Sequence, residues 1–153
     1  MSRQEAWGAA ILRVMLGVVF VMHGYYGLTI LGPAGAAGFI TRMGYPAGAA
    51  TLLAWYLIVV HLVGGALMLV GLWTRLVALL NVPIMASAVF LFHLPQGFFV
   101  RGVIVDAAAG RAIAAGYEFA LLVLVATLAV ALLGSGALSV DGARAARRVP
   151  RVP

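Results

Sequence analysis

The chain has 153 residues, 65% hydrophobic and only 9% charged, with a mean hydropathy of +1.12, whereas a soluble domain is about one quarter charged. Cysteine is absent, which excludes disulfides, thiolate metal sites and thiol redox chemistry belonging to this chain alone. The net charge is +6, but the basic residues are all arginine and gather at the ends of apolar runs and in the tail, a pattern that signals topology and anionic-lipid contact rather than nucleic acid.

The first apolar run extends from about Trp7 to Leu31, interrupted by Arg13 and His23, and stops at Gly32-Pro33. Eighteen or more largely uncharged apolar residues suffice to span a bilayer. Arg13 inside this run, and the run's length, argue for a retained helix and against a cleaved signal peptide. Residues 34–43 follow, with Phe39, Ile40 and Met43 at helical spacing, and predict a short interfacial helix closed by Gly44-Tyr45-Pro46. The second run covers about 49–73 and carries His61; Trp73-Thr74-Arg75 connects it tightly to a third, about 76–94, holding Asn81, Pro83 and His93. Residues 95–116 contain only short apolar patches, which predicts an interfacial loop over the bundle. A fourth run, about 117–138, starts near Glu118 and ends at Gly134-Ser135-Gly136.

These elements predict an all-α integral membrane four-helix bundle, one domain over residues 1–141, with a basic, solvated tail at 142–153. Four spans put both termini on one side. That side holds Arg3, Arg75 and the tail arginines Arg144, Arg147, Arg148 and Arg151; the other holds Arg42, Arg101 and Arg111. The imbalance predicts N-in/C-in, with Arg75, Arg144, Arg147 and Arg148 as lipid or topology contacts and Trp7 and Trp73 at the cytoplasmic interface. The all-arginine, Ala/Gly/Val-rich composition reads as bacterial, and so as a multi-pass protein of the cytoplasmic (inner) membrane.

Polar residues in the runs are the candidate site, because each costs free energy in lipid unless it is partnered. Arg13 shares a face with Gly17, Phe20 and Gly24, and either snorkels to the surface or points inward to an acceptor or bound anion. His61 shares a face with Gly64, Gly65 and Met68; it is a neutral interhelical hydrogen-bonding group or a ligand contact. Asn81, at Arg13's depth, is a candidate partner for it. These three form one candidate layer. His23, His93 and Glu118, with Tyr25, Tyr26 and Arg42 nearby, form a second layer toward the opposite face, either an ordinary wet interface or a pocket able to hold a quinone head group and relay protons. No metal motif is present, since no two histidines share a run at ligand spacing. A haem b between His23 and His93 is a further alternative.

Several segments together resemble the DoxX-like membrane proteins: Arg13-Val14-Met15-Leu16-Gly17 with His23-Gly24, Gly38-Phe39 with Gly44-Tyr45-Pro46, and Leu62-Val63-Gly64-Gly65 followed by Val70-Gly71-Leu72-Trp73-Thr74-Arg75. His93, Tyr117-Glu118-Phe119-Ala120-Leu121 and the stretch from Gly134 to Asp141 extend the likeness over about Arg13 to Asp141. The resemblance implies a four-helix bacterial inner-membrane protein linked to thiosulfate:quinone oxidoreductase or to membrane oxidoreductases handling sulfur compounds and oxidative stress. Family members often carry Glu just before the Val-Gly-Gly of the second helix. This chain has His61 there, so a Glu partner for Arg13 is missing.

Two functions of different class follow. One is a quinone-binding subunit of a membrane oxidoreductase, drawing electrons from a partner because the chain has no evident redox centre of its own. The other is a non-catalytic anchor or assembly subunit whose buried polar groups fix helix register, alone or as a homo-oligomer. Small-solute transport fits less well, since no internal duplication is evident.

Overall fold

The computed structural model describes residues 1–100, 103–106, 111–114 and 116–148. Helix α1 runs Arg3–Ile30, α2 Gly32–Arg42, α3 Ala47–Val70, α4 Thr74–Gln96, α5 Glu118–Leu133 and α6 Val140–Arg148. Three of these, α1, α3 and α4, are long and apolar enough to cross a membrane. Helix α5 is apolar but has 16 residues, about 24 Å at 1.5 Å per residue. Arg101 and Arg151, used above to weigh orientation, lie outside the described residues.

Helix α1 begins at a capping box: Glu5 N donates to Ser2 Oγ at 3.2 Å, and Ser2 N donates to Glu5 Oε2 at 2.9 Å. Its glycines then set how closely α3 approaches. A Cβ added at Gly24 would lie 2.5 Å from Leu62 N, and one at Gly65 would lie 2.7 Å from Val21 N. No larger residue fits without parting the helices, which is how small residues let membrane helices pack backbone to backbone. The main core joins Leu16, Phe20, Met68, Val77, Val89, Val123 and Val130; a second, smaller one joins α2 to α3 through Ala36, Ile40, Ala50, Ala54 and Ile58. The outer surface is itself apolar, with Leu52 73% and Leu132 79% exposed and Ile11, Leu79, Phe90 and Leu122 also turned outward. An apolar belt of this extent suits lipid and not water.

The segment expected to be an interfacial loop carries an antiparallel hairpin, β1 Val103–Asp106 paired with β2 Arg111–Ala114 in the register Val103↔Ala114 to Asp106↔Arg111. Strand β1 coincides with the β-branched patch Val103-Ile104-Val105, which is too brief to span. At the other end, α5 stops at Leu133 instead of continuing to residue 138, because Gly134, Gly136 and Leu138 take left-handed φ of 86°, 65° and 49°. The tail, expected to be basic and solvated, begins as helix α6, whose first residues are held by Asp141 N donating to Gly71 O at 2.9 Å.

Candidate functional site

Two polar centres result. The first lies where the start of α1, the α3–α4 turn and the end of α5 meet. Arg13, only 1% exposed, donates through Nη1 to Met68 O at 2.6 Å and Leu69 O at 3.0 Å, and through Nη2 to Leu138 O at 3.1 Å and Ala137 O at 3.3 Å. The last carbonyls of a helix have no partner within it and carry partial negative charge. A guanidinium, with five donors in a planar fork, suits them. Arg13 therefore points inward, and its acceptors are backbone carbonyls of α3 and of the loop after α5, not Asn81. Gly71 (φ 70°) makes room: a Cβ there would stand 2.6 Å from Arg13 Nη1. Asp141 completes the arrangement at the start of α4, accepting from Trp73 N at 2.9 Å and Thr74 N at 3.0 Å as a cap supplied from another segment. Ala137 N donates to Ala6 O at 2.8 Å, so both ends of the chain meet here, beside exposed Arg75, Arg144 and Arg147.

The second centre is a cavity of about 820 Å³ lined by α1, α2, α3, α4 and α5. It brings His23, His61 and His93 together, although the sequence assigns His61 to a different layer from the other two. The His23 and His61 rings meet edge to face with centroids 6.4 Å apart, and Phe20 packs on His61 at 4.9 Å. His93 lies against Phe92 at 4.9 Å, Phe92 against Phe39 at 4.6 Å, and the Arg42 guanidinium sits over Phe39 at 6.0 Å. Leu53, Leu57, Ile84 and Val123 supply aliphatic wall. The three long helices each pass into a wider π-helical turn along this cavity, at Tyr26–Ile30, Val60–Gly64 and Ala88–His93. Such insertions re-aim side chains and gather at functional sites. His61 and His93 both sit in one.

Arg13, Asn81 and Glu118 lie outside this cavity. Asn81 is fully buried; its Nδ2 donates to Val77 O at 2.9 Å, and it packs against Gly64, one turn from His61. Glu118 accepts from Val100 N at 2.8 Å, and its own backbone N donates to Phe98 O at 3.1 Å, tying the start of α5 to the chain after α4. Among the described residues no three His, Asp or Glu side chains are grouped to hold a metal ion. Sequence reasoning missed Tyr45, Tyr56, Ser87 and Phe92, all in the cavity wall. For Tyr56, Ser87 and Phe92 the signal was available, because Leu53, Tyr56, Leu57 and His61 fall on one helical face, as do Ile84, Ser87, Ala88 and Phe92.

The comparisons with known proteins bear on this site. The family model described as DoxX matches residues 8–94, a range that includes Arg13 and all three histidines. A Bacillus subtilis (strain 168) protein named "Putative oxidoreductase CatD" is 28% identical over 141 residues, covering 92% of this chain and 90% of that protein. No solved structure gives a significant match.

Proposed function

This chain belongs to the DoxX family, and from that premise we propose that it is a four-span subunit of a bacterial inner-membrane oxidoreductase that holds a quinone-class ligand between its helices. One observation carries the reading: a cavity of about 820 Å³ with three imidazoles in an otherwise largely apolar, aromatic wall. Small-molecule sites are typically clefts of roughly 300–1,000 Å³, apolar with a few convergent polar groups. A quinone has the matching character, a flat apolar ring with polar atoms at its edge and a lipid-soluble tail. The relative named as an oxidoreductase supports the redox context. His23, His61 and His93 are the polar contacts in this reading, and Arg42 and Tyr26 stand on the α2 side of the same space. A partner supplies the electrons, since the described side chains include no redox centre.

In the same reading α5 is the fourth span, shorter than the others, and the end bearing Arg3, Arg75, Arg144 and Arg147 faces the cytoplasm and anionic lipid. Arg13 and Asp141 act on the scaffold and not on the ligand.

The test is purification in mild detergent followed by mass spectrometry of the lipid extract. Quinone retained by the wild-type protein and lost from His61→Ala, with the helical circular dichroism of both unchanged, is the expected result. A quinone-free, colourless protein that needs a second polypeptide for stability transfers the reading to an anchor subunit. A reducible Soret band transfers it to haem.

A further inference from the structure

We infer that the cavity prefers the reduced, hydroxyl-bearing form of its aromatic ligand over the oxidised form, with Asn81 as a positioning residue that orients His61 for it. The inference rests on the binding reading above and deepens it, and it follows from assigning the polar protons of the cavity wall.

His23 Nδ1 lies 2.8 Å from Val19 O. A carbonyl only accepts, so Nδ1 carries the proton and a neutral His23 keeps its lone pair on Nε2. At His61, which is 5% exposed, Nδ1 is buried without a partner, and so is Asn81 Oδ1. The Asn81 amide is fixed in orientation because its Nδ2 donates to Val77 O. Its side chain lies within reach of the His61 ring: Nδ2 is 3.6 Å from where a Cβ on Gly64 would stand, and His61 is one turn away on the same face. The two orphaned atoms are complementary. Buried polar atoms are rarely left unpaired, so a pairing in which Nδ1–H donates to Oδ1 is favoured. His61 then also presents its Nε2 lone pair.

The hydroxyl protons of Tyr45, Tyr56 and Ser87 are already used. Tyr56 donates to Leu80 O at 2.6 Å, and Ser87 donates to Pro83 O at 2.7 Å. The 2.7 Å contact between Tyr45 and Ser87 must therefore run from the Tyr45 hydroxyl to Ser87 Oγ. The His23 and His61 end of the cavity thus offers acceptors, while the donors Arg42 and Tyr26 line it elsewhere. A quinone carbonyl at the histidine end, itself only an acceptor, finds no partner in these two rings, whereas a hydroquinone hydroxyl donates to an imidazole lone pair there. Each matched hydroxyl contributes about 0.5–1.5 kcal/mol, or up to about tenfold in affinity.

The experiment is anaerobic calorimetry on the full chain in detergent micelles with a decyl-substituted 1,4-benzoquinone, its hydroquinone and the dimethyl ether of that hydroquinone, together with ¹⁵N spectra of the histidines. The expected outcome is hydroquinone bound about tenfold tighter than either other probe, and a protonated Nδ1 on His61. In Asn81→Leu the hydroquinone affinity falls toward that of the quinone while the quinone affinity holds. Quinone bound as tightly as hydroquinone overturns the preference and leaves the binding reading standing. Binding of no probe overturns both. A wild-type His61 protonated on Nε2 overturns the role of Asn81, and this measurement does not depend on whether the Asn81 variant folds.

Discussion

The Arg13 guanidinium donates to the Met68 carbonyl at 2.6 Å, so a buried cation closes the C-terminal end of α3. The same side chain reaches Ala137 and Leu138, which makes it a rivet between α1, α3 and the loop after α5. A residue that is costly in lipid is retained here because it serves four carbonyls at the ends of other segments at once, of which Met68 O also accepts from Gly71 N. The prediction is that Arg13→Met lowers stability by about 1–3 kcal/mol, as expected when buried carbonyls lose a charged donor. Arg13→Lys rescues little of it, because one ammonium lacks the fork that serves both segments. Thermal unfolding in detergent measures the loss, and quinone-class binding by the surviving folded protein stays unchanged. Selective loss of binding with full stability would move Arg13 into the site.

Asp141 does for α4 what Arg13 does for α3, with the opposite charge at the opposite kind of helix end. Asp141→Ala is expected to cost about 1–2 kcal/mol, the usual worth of an N-cap. Because α6 is held partly through this contact and through Asp141 N to Gly71 O, the variant should also expose the tail to protease sooner. Limited proteolysis with mass mapping reads that out, and unchanged cleavage after residue 138 would contradict it.

The helices were legible from the apolar runs, since length and hydropathy alone decide which segments can span. The two centres were not. Arg13's partners are backbone carbonyls, and no residue type announces a carbonyl acceptor, so a side-chain partner such as Asn81 was the natural expectation. Its true setting was encoded in two separated glycine-bearing stretches, Gly71 to Arg75 and Gly134 to Asp141, whose contact is a matter of tertiary structure. Likewise depth along the helices assigns His61 to a different layer from His23. The π-helical turn at Val60–Gly64 changes where the side chains around it point, and sequence periodicity assumes a uniform 3.6-residue repeat. The apolar run continues through Gly134 to Leu138 past the end of α5, and only the left-handed φ values end the helix at Leu133.

The α1–α3 contact gives a prediction independent of polar chemistry. Gly24→Ala places a methyl group 2.5 Å from Leu62 N and 2.8 Å from Leu62 Cα, and backbone cannot yield as a flexible side chain can. The expected cost is about 1–3 kcal/mol, typical of overpacking. Gly48→Ala, where a Cβ meets nothing within 4 Å, should be neutral or slightly stabilising, since Ala is the better helix former by about 1 kcal/mol. Comparing the two melting temperatures separates close packing from general sensitivity to alanine.

Filling the cavity tests its use directly. Ala88 lines it from the π-helical turn of α4 and is not part of the tightly buried core. Ala88→Trp adds an indole to a space of about 820 Å³, which has room for the side chain but places it on the wall beside Phe92 and His93, where the proposed ligand head group sits. Melting temperature should therefore change by no more than a few degrees while quinone-class affinity drops at least about tenfold, a loss of roughly 1.4 kcal/mol. The contrast with Arg13→Met is the informative part, because one variant is expected to spare binding and lose stability and the other to do the reverse. If Ala88→Trp binds as the wild type does, the ligand site lies elsewhere and the three imidazoles serve only helix packing.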